Sequence, residues 1–163
     1  MLHPAVVVRS RGTIESNGLV AAKLIRKETI VWHLTEPTFT WAEVKTWRGK
    51  RLRDFKKYGF QCDFNRFSLP TGPSCEMNHS CDPNTWWAGS GILIARRDIF
   101  ADEEITYDYS TCDINIEFKM SCYCGSPHCR GLVTNHDYLD HEWQNRYSLH
   151  LPPHVLTAIK KAR

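Results

Sequence analysis

Three cysteines within eight residues constrain the fold of this chain more than any other feature. They follow the pattern Cys122-x-Cys124-x4-Cys129, and thiolates at that spacing can reach one metal ion. Zn²⁺ favours tetrahedral sites of soft ligands, with sulfur about 2.3 Å from the metal. A fourth ligand is then required, and within this stretch it would come from His128 or another nearby thiol. Unligated reactive thiols are the alternative.

The other cysteines are not expected to form disulfides. The chain has seven cysteines in 163 residues, and an odd number cannot be fully paired. Cys62, Cys75 and Cys112 lie outside the metal pattern. We expect them to be reduced thiols, for which burial is the common fate.

Length and composition predict a single globular domain. Of the 163 residues, 42% are hydrophobic and 24% are charged, which is sufficient for one core. No apolar run approaches the ~18 residues of a membrane span, and the N-terminus lacks the features of a secretory signal. We therefore expect a soluble intracellular protein without a membrane anchor, and its oligomeric state stays open.

The charge pattern gives no indication of nucleic-acid binding. The net charge is only +3, and the basic residues are dispersed except over residues 48–57 and at the C-terminal end. Nucleic-acid binding usually needs a concentrated basic face. No direct binding of nucleic acid is expected.

Short strands dominate the predicted secondary structure. Strands are predicted over residues 6–8, after a turn at 16–18, and over 25–32. Two further strands, over 85–87 and 92–95, surround a Gly-Ser-Gly turn. An Asn-Gly hairpin turn would by itself explain Gly18.

Helices are predicted in the middle and at the end of the chain. Thr40 and Glu43 fit a capping box, and a second helix over 50–58 would stop at Gly59. Trp143 and Tyr147 have helical spacing. A last helix follows Pro152-Pro153, and its apolar stripe is expected to dock on the domain itself rather than on a partner; the stripe consists of Val155, Leu156 and Ile159.

Three motifs together resemble the SET-domain family, the lysine methyltransferases that use S-adenosylmethionine. They are residues 77–84 (MNHSCDPN), 103–109 (EEITYDY) and 122–131 (CYCGSPHCRG). The resemblance extends from about residue 12 to residue 131. It implies a mainly β fold of the β-clip or SET type, with small sheets, a knot-like C-terminal threading, a few short helices and a C-terminal helix.

The resemblance also implies how the chain is divided. The SET domain would cover residues 1–120, with a variable helical insert at about 40–66 that contributes to substrate binding. A zinc-binding post-SET flap would follow over 121–132, and a helical extension packed on the domain over 133–163. Tyr58 and Phe60 are then candidates for aromatic residues of a substrate channel, although core packing is favoured for both.

By the same resemblance, Tyr109 matches the catalytic tyrosine of the family, and Tyr107 matches a position that has Phe or Tyr. Alternation along a strand places both on one face. A hydroxyl at Tyr107 would hold the amine or a water and favour monomethylation. Each tyrosine taken alone is equally well explained as a strand aromatic.

The resemblance assigns the methyl donor, S-adenosylmethionine, to Gly18, Asn78, His79 and Tyr109. Ser16 stands where the family usually has the first glycine of its turn, and residues 75–77 also depart from the family pattern. A structural hydrogen-bonded role is the alternative for Asn78 and His79.

Cys81 is the fourth zinc ligand that the resemblance implies, beside Cys122, Cys124 and Cys129. The ion would be structural and would hold the flap against the active site. A nucleophilic pair of His79 with Cys81 is a further alternative, but Cys81 cannot serve both roles, and zinc is favoured.

The resemblance implies S-adenosylmethionine-dependent methylation of a protein lysine, with one or two methyl groups added. The substrate would be a histone or another basic protein. Such a protein would be cytoplasmic in a bacterium and nuclear or chromatin-associated in a eukaryote or virus. Two other hypotheses are a catalytically silent SET-like module that binds a peptide or cofactor, and a zinc-stabilised interaction domain with an accidental motif match.

Overall fold

The protein is described here from a computed structural model that covers residues 1–10, 14 and 17–162. Short strands alternate with turns along most of the chain, and the α-helices lie in the middle and at the C-terminal end. The strands are β1 (Val6–Ser10), β2 (Asn17–Ala21), β3 (Ile30–His33), β4 (Thr38–Phe39), β5 (Phe60–Asp63), β6 (Arg66–Ser68), β7 (Asn78–His79), β8 (Thr85–Trp87), β9 (Ile92–Ala95), β10 (Glu104–Tyr107), β11 (Lys119–Ser121) and β12 (Leu132–Thr134). The helices are α1 (Trp41–Thr46), α2 (Gly49–Tyr58), α3 (His141–Tyr147) and α4 (Pro153–Ala162).

The strands form small sheets with the orders β1-β2-β10-β7, β3-β9-β8, β4-β6-β5 and β11-β12. Strand β7 is parallel to β10, and its residue His79 pairs with Tyr107. This pairing joins two of the sequence motifs side by side. The small sheets and few helices confirm the predicted fold class.

The main core lies between these sheets. Leu19 on β2 and Ile105 on β10 are cross-strand neighbours, and both are fully buried. Burial of one such side chain stabilises the fold by about 1.5–3 kcal/mol. The Phe60 ring packs edge-on against Trp32 at 5.8 Å, so Phe60 belongs to the core, as favoured from the sequence.

The helical insert follows its local signals. The Thr40 side chain accepts a hydrogen bond from the Glu43 backbone N–H, and Glu43 accepts one from the Thr40 backbone, so the capping box is confirmed. Helix α2 ends at Tyr58, as predicted, with Gly59 as its C-cap. Gly59 has an ordinary φ of -66°; glycine is needed there because a Cβ would lie 2.3 Å from the Phe55 ring.

The C-terminal helices pack on each other and on the rest of the protein. Trp143, Tyr147 and Val155 are buried in one cluster, so the apolar stripe of α4 docks within the chain, as expected. The Trp143 indole N–H donates to Ser110 Oγ at 3.1 Å. None of the helices in the described part of the chain has the length and apolar character needed to cross a membrane.

Two local predictions are wrong. Gly18 does not lie in a hairpin turn: it belongs to β2 and pairs with Arg9 of β1. The predicted strand over residues 25–32 begins only at Ile30, because the chain turns before it, with Glu28 in the left-handed region at a φ of 67°. The predicted break at residues 11–12 and the departure at Ser16 fall outside the described residues.

Candidate active site and metal centre

Tyr107 and Tyr109 lie side by side where β10 ends. Asp108 caps a short 3-10 turn over Tyr109–Thr111 by accepting a hydrogen bond from the Ser110 N–H. The turn places the centroids of the two half-buried rings 4.9 Å apart. The Tyr109 hydroxyl donates to the Met77 carbonyl at 2.9 Å. Burial raises the pKa of the Tyr107 phenol well above its ordinary value, so this hydroxyl is protonated at neutral pH.

Both tyrosines line one cavity of about 240 Å³, the tyrosine cavity. Tyr58, at the end of α2, lines the same cavity, whereas Phe60 belongs to the core. Most of the other lining residues are apolar or basic; they include Met77, Ile116, Phe118, Met120, Lys56, Lys57 and Lys119. The cavity therefore combines aromatic and apolar walls with lysines.

A smaller cavity of about 40 Å³, the flap cavity, adjoins the first. Its walls come from β7 (Asn78 and His79) and from the segment around β11; these residues include Ser121, Cys122, Tyr123 and Cys124. Tyr109 and Met120 line both cavities. They therefore form the boundary at which a group in one cavity would meet a group in the other.

The side chains of Asn78 and His79 are held by hydrogen bonds within the protein. Asn78 Nδ2 donates to the Asn17 carbonyl and to Glu104 Oε1, both at 2.7 Å. His79 Nδ1 accepts from the Tyr109 backbone N–H at 3.2 Å. Burial lowers the pKa of His79 to about 4, so the imidazole is neutral and its Nε2–H faces Cys81 Sγ at 3.3 Å.

Gly18 is placed directly beside this pair. A Cβ at Gly18 would lie 2.5 Å from Glu104 Oε1 and 3.3 Å from Asn78 Nδ2. Glycine therefore leaves the room in which Asn78 and Glu104 form their hydrogen bond. Of these three residues, Asn78 lines the flap cavity.

The four cysteines implied by the family resemblance converge. The Sγ atoms of Cys81, Cys122, Cys124 and Cys129 all lie within 4.8 Å of one another. Those of Cys81 and Cys122 are 3.7 Å apart, and a tetrahedral zinc site with bonds of about 2.3 Å separates its sulfurs by about 3.8 Å. His128 is exposed and is not a member of this group in the described part of the chain. The donor set fits Zn²⁺.

Hydrogen bonds from the surrounding backbone support thiolate ligands in this cluster. The Arg130 N–H donates to Cys81 Sγ at 3.4 Å, and the Cys81 N–H donates to Cys124 Sγ at 3.5 Å. Cys81 is completely buried, which opposes its role as a nucleophile. Of the cysteines outside the cluster, Cys62 and Cys112 are buried free thiols and Cys75 is a half-buried one.

The sequence analysis missed a buried carboxylate between the two tyrosines. Asp108 accepts hydrogen bonds from Arg130 Nη1 at 2.7 Å and Nη2 at 2.9 Å, and from the Tyr147 hydroxyl at 2.7 Å. Burial alone would raise the pKa of Asp108, but the hydrogen bonds and charge of Arg130 outweigh it and lower the pKa. Asp108 thus joins the tyrosine motif to the cysteine-rich segment and to α3.

The fold and this site define the class of protein. A family model described as "SET domain" matches residues 16–110, and the chain belongs to that family. The solved methyltransferase domain of human histone-lysine N-methyltransferase SETMAR has a similar fold, with a TM-score of 0.53 and 22% identity. That alignment covers 71% of this chain and 53% of the other.

Two curated relatives are similar over parts of the sequence. Histone-lysine N-methyltransferase ATX2 of Arabidopsis thaliana is 41% identical over 88 residues, which is 48% of this chain and 8% of that protein. Histone-lysine N-methyltransferase trr of Drosophila melanogaster is 33% identical over 137 residues, which is 76% of this chain and 6% of that protein. The chain thus spans less than a tenth of either relative.

Proposed function

We propose that this chain transfers a methyl group from S-adenosylmethionine to the ε-amine of a protein lysine. The observation that carries the proposal is the position of Tyr109 and Met120 on the walls of both cavities. The tyrosine cavity would take the lysine side chain, and the methyl-bearing end of the donor would lie at the flap cavity, whose volume of about 40 Å³ can hold only a small part of that molecule. Asn78 and His79 would contact the donor mainly through their backbone, because their side chains are engaged in the protein.

S-adenosylmethionine supplies a methyl group on a sulfonium. A neutral lysine amine would attack the methyl carbon, so that an N–C bond forms as the C–S bond breaks; the demethylated thioether leaves, and the positive charge passes to the lysine nitrogen. The apolar and aromatic walls would favour the neutral amine by desolvation, which lowers the pKa of a buried lysine below its usual ~10.4. Tyr109 would orient the amine and the polarised methyl group, with support from the Met77 carbonyl that holds its hydroxyl. Positioning of this kind can lower the barrier of such a displacement by up to about 7–11 kcal/mol.

The relatives support a histone lysine as the substrate, because both ATX2 and trr are named histone-lysine N-methyltransferases. In that case the protein would act where histones are found, in the nucleus or on chromatin. Zinc bound by Cys81 and the three cysteines of the flap would hold the wall of the donor cavity in place.

A catalytically silent module is the second candidate, favoured by the amide nitrogen of Asn78, which already donates two hydrogen bonds within the protein. Calorimetric titration with S-adenosylmethionine, followed by an assay of radiolabelled methyl transfer to mixed histones, separates the two. Donor binding without transfer to histones or to proteins of a cell lysate would support the silent module.

Replacing Tyr109→Phe is expected to lower kcat about a hundredfold, a typical loss when one positioned polar group is removed from an active site. The dissociation constant of the donor should change less than threefold, because the ring remains. Radiolabel transfer and calorimetry measure the two quantities. Tyr138→Phe, a change among the C-terminal helices, is the control, and a kcat within threefold of the wild type for Tyr109→Phe would contradict the assignment.

Replacing Tyr107→Phe is expected to raise the number of methyl groups added to the lysine. The protonated hydroxyl of Tyr107 occupies room in the tyrosine cavity and can hold the amine or a water. Mass spectrometry of the product should detect mainly monomethyl-lysine for the wild type and di- or trimethyl-lysine for the variant. An unchanged distribution would remove the proposed role of Tyr107.

A further inference from the structure

Helix α2 and the residues before it carry a concentration of positive charge that the whole-chain charge hides. Residues 45–57 contain seven Lys and Arg side chains against one acidic residue, Asp54. Their net charge is +6, whereas the whole chain carries +3, so the rest of the chain is net negative by three. All seven cations are exposed; they are Lys45, Arg48, Lys50, Arg51, Arg53, Lys56 and Lys57.

The helix directs these charges outward. Leu52 and Phe55 pack into the core of the insert. Lys50, Arg53 and Lys57 have the spacing i, i+3 and i+7, which places them in one stripe on the opposite face. We name these three residues the basic stripe. With a rise of about 1.5 Å per residue it is about 10 Å long.

The basic stripe makes contacts within the protein, among them one from Lys57, whose Nζ lies 4.7 Å from the centroid of the Tyr58 ring. Lys50 forms an exposed salt bridge with Asp54 at 2.5 Å, and exposed pairs of this kind are weak and exchange readily with other anions. Arg51, beside the stripe, is stacked on the Trp47 ring at 3.7 Å. Stacking holds this guanidinium in a fixed position, which lowers the entropic cost of binding an anion.

We propose that the basic stripe of α2 binds the phosphate backbone of double-stranded DNA beside the tyrosine cavity. Lys56 and Lys57 line that cavity, whereas Arg48, Lys50 and Arg53 extend the positive surface away from it. An acidic side chain next to the substrate lysine is the alternative ligand, but it would contact only Lys56 and Lys57 at the cavity. A surface that continues along the helix fits a repeating polyanion, and duplex DNA carries one charge per about 1.7 Å of its axis.

Binding of DNA at the stripe would go beyond the proposed methylation and would differ from the expectation that nucleic acid is not bound. That expectation depended on the small net charge of the whole chain, whereas a stripe on one helix face is a local property. The connection to the substrate rests on the proposed function. A basic protein tail that approaches the cavity without DNA meets the positive charge of the cavity lysines. DNA bound alongside supplies negative charge that compensates this repulsion.

Fluorescence anisotropy with a labelled random-sequence duplex of about 20 base pairs, titrated between about 50 and 200 mM salt, tests the proposal. The stripe variant is Lys50→Gln, Arg53→Gln and Lys57→Gln. The control variant, with the same net charge, is Lys23→Gln, Lys160→Gln and Lys161→Gln, all exposed positions outside the insert. Circular dichroism and donor calorimetry check that both variants remain folded and bind the donor equally.

The stripe variant is expected to bind the duplex at least about tenfold more weakly, and its slope of log K against log salt should be less negative by about 2.7. The control variant should lose less than about threefold. Equal losses in both variants, or no duplex binding by the wild type, would overturn the proposal. So would stripe-dependent binding of a Glu-rich peptide in preference to the duplex. None of these measurements requires turnover, so failure here is distinct from failure of the proposed activity.

Discussion

Chelation of zinc is expected to weaken donor binding at least tenfold while most of the fold survives. One wall of the flap cavity is formed by four consecutive residues, Ser121, Cys122, Tyr123 and Cys124, and two of these four are members of the cysteine cluster. A structural zinc contributes roughly 10–16 kcal/mol in small zinc peptides. The few apolar side chains around the flap cannot replace that contribution, whereas the main core between the sheets contains none of the four cysteines.

Elemental analysis should find one zinc ion per chain, as a site of four cysteines requires. After chelation, calorimetry should detect at least a tenfold loss of donor affinity, and far-UV circular dichroism should retain most of the wild-type signal. Readdition of zinc should restore donor binding. Undiminished donor affinity in the metal-free protein would show that the flap holds its position without the ion.

The variant Cys81→Ser distinguishes this site from a local one. Cys81 lies 41 residues before Cys122 in the chain, so it joins the central motif to the flap. Its replacement should remove zinc at concentrations that saturate the wild type. Cys62→Ser is the control, because Cys62 is a buried thiol outside the cluster. Full zinc occupancy in Cys81→Ser would mean that the metal site is formed within residues 122–129.

Elements with strong local signals could be predicted from the sequence. The capping box at Thr40 and the end of α2 depend on residues within one or two turns, and the Gly-Ser-Gly turn between β8 and β9 is equally local. The Asn-Gly pair at residues 17–18 is also a strong local signal, in this case for a hairpin turn, but strand pairing in the folded protein overrides it. Gly18 pairs with Arg9 in a sheet and packs under Glu104, and neither partner can be read from the local sequence.

The partners of Asp108 could not be predicted from the sequence either. The strand alternation predicted for Tyr107 and Tyr109 could have indicated that the carboxylate between them points to the opposite face, where a buried charge needs a counterion. In the structure β10 ends at Tyr107, and Asp108 caps the turn that follows. Arg130 is 22 residues away and Tyr147 is 39 residues away. No spacing rule connects positions at such distances, so the network appears only when the folded chain brings them together.

Replacing Arg130→Leu is expected to destabilise the protein by about 3–5 kcal/mol, because removal of one partner leaves a buried charge uncompensated. Asp108 is fully buried, and Arg130 supplies two of its hydrogen bonds. Urea unfolding of the zinc-loaded protein measures the change. Arg26→Leu, which breaks an exposed pair with Asp98 at 2.8 Å, should cost less than about 1 kcal/mol.

A second substitution separates the charge effect from lost packing. In the Arg130→Leu background, Asp108→Asn removes the uncompensated charge. The amide oxygen of the asparagine can accept from the Ser110 N–H, which bonds Oδ1 of Asp108, and the amide nitrogen in the place of Oδ2 can donate to the Tyr147 hydroxyl oxygen. The double variant should therefore be more stable than Arg130→Leu alone, and the cycle should give a coupling energy of at least about 1 kcal/mol. Additive effects of the two substitutions would mean that Arg130 stabilises the protein through packing and the flap, and that its ion pair with Asp108 contributes little.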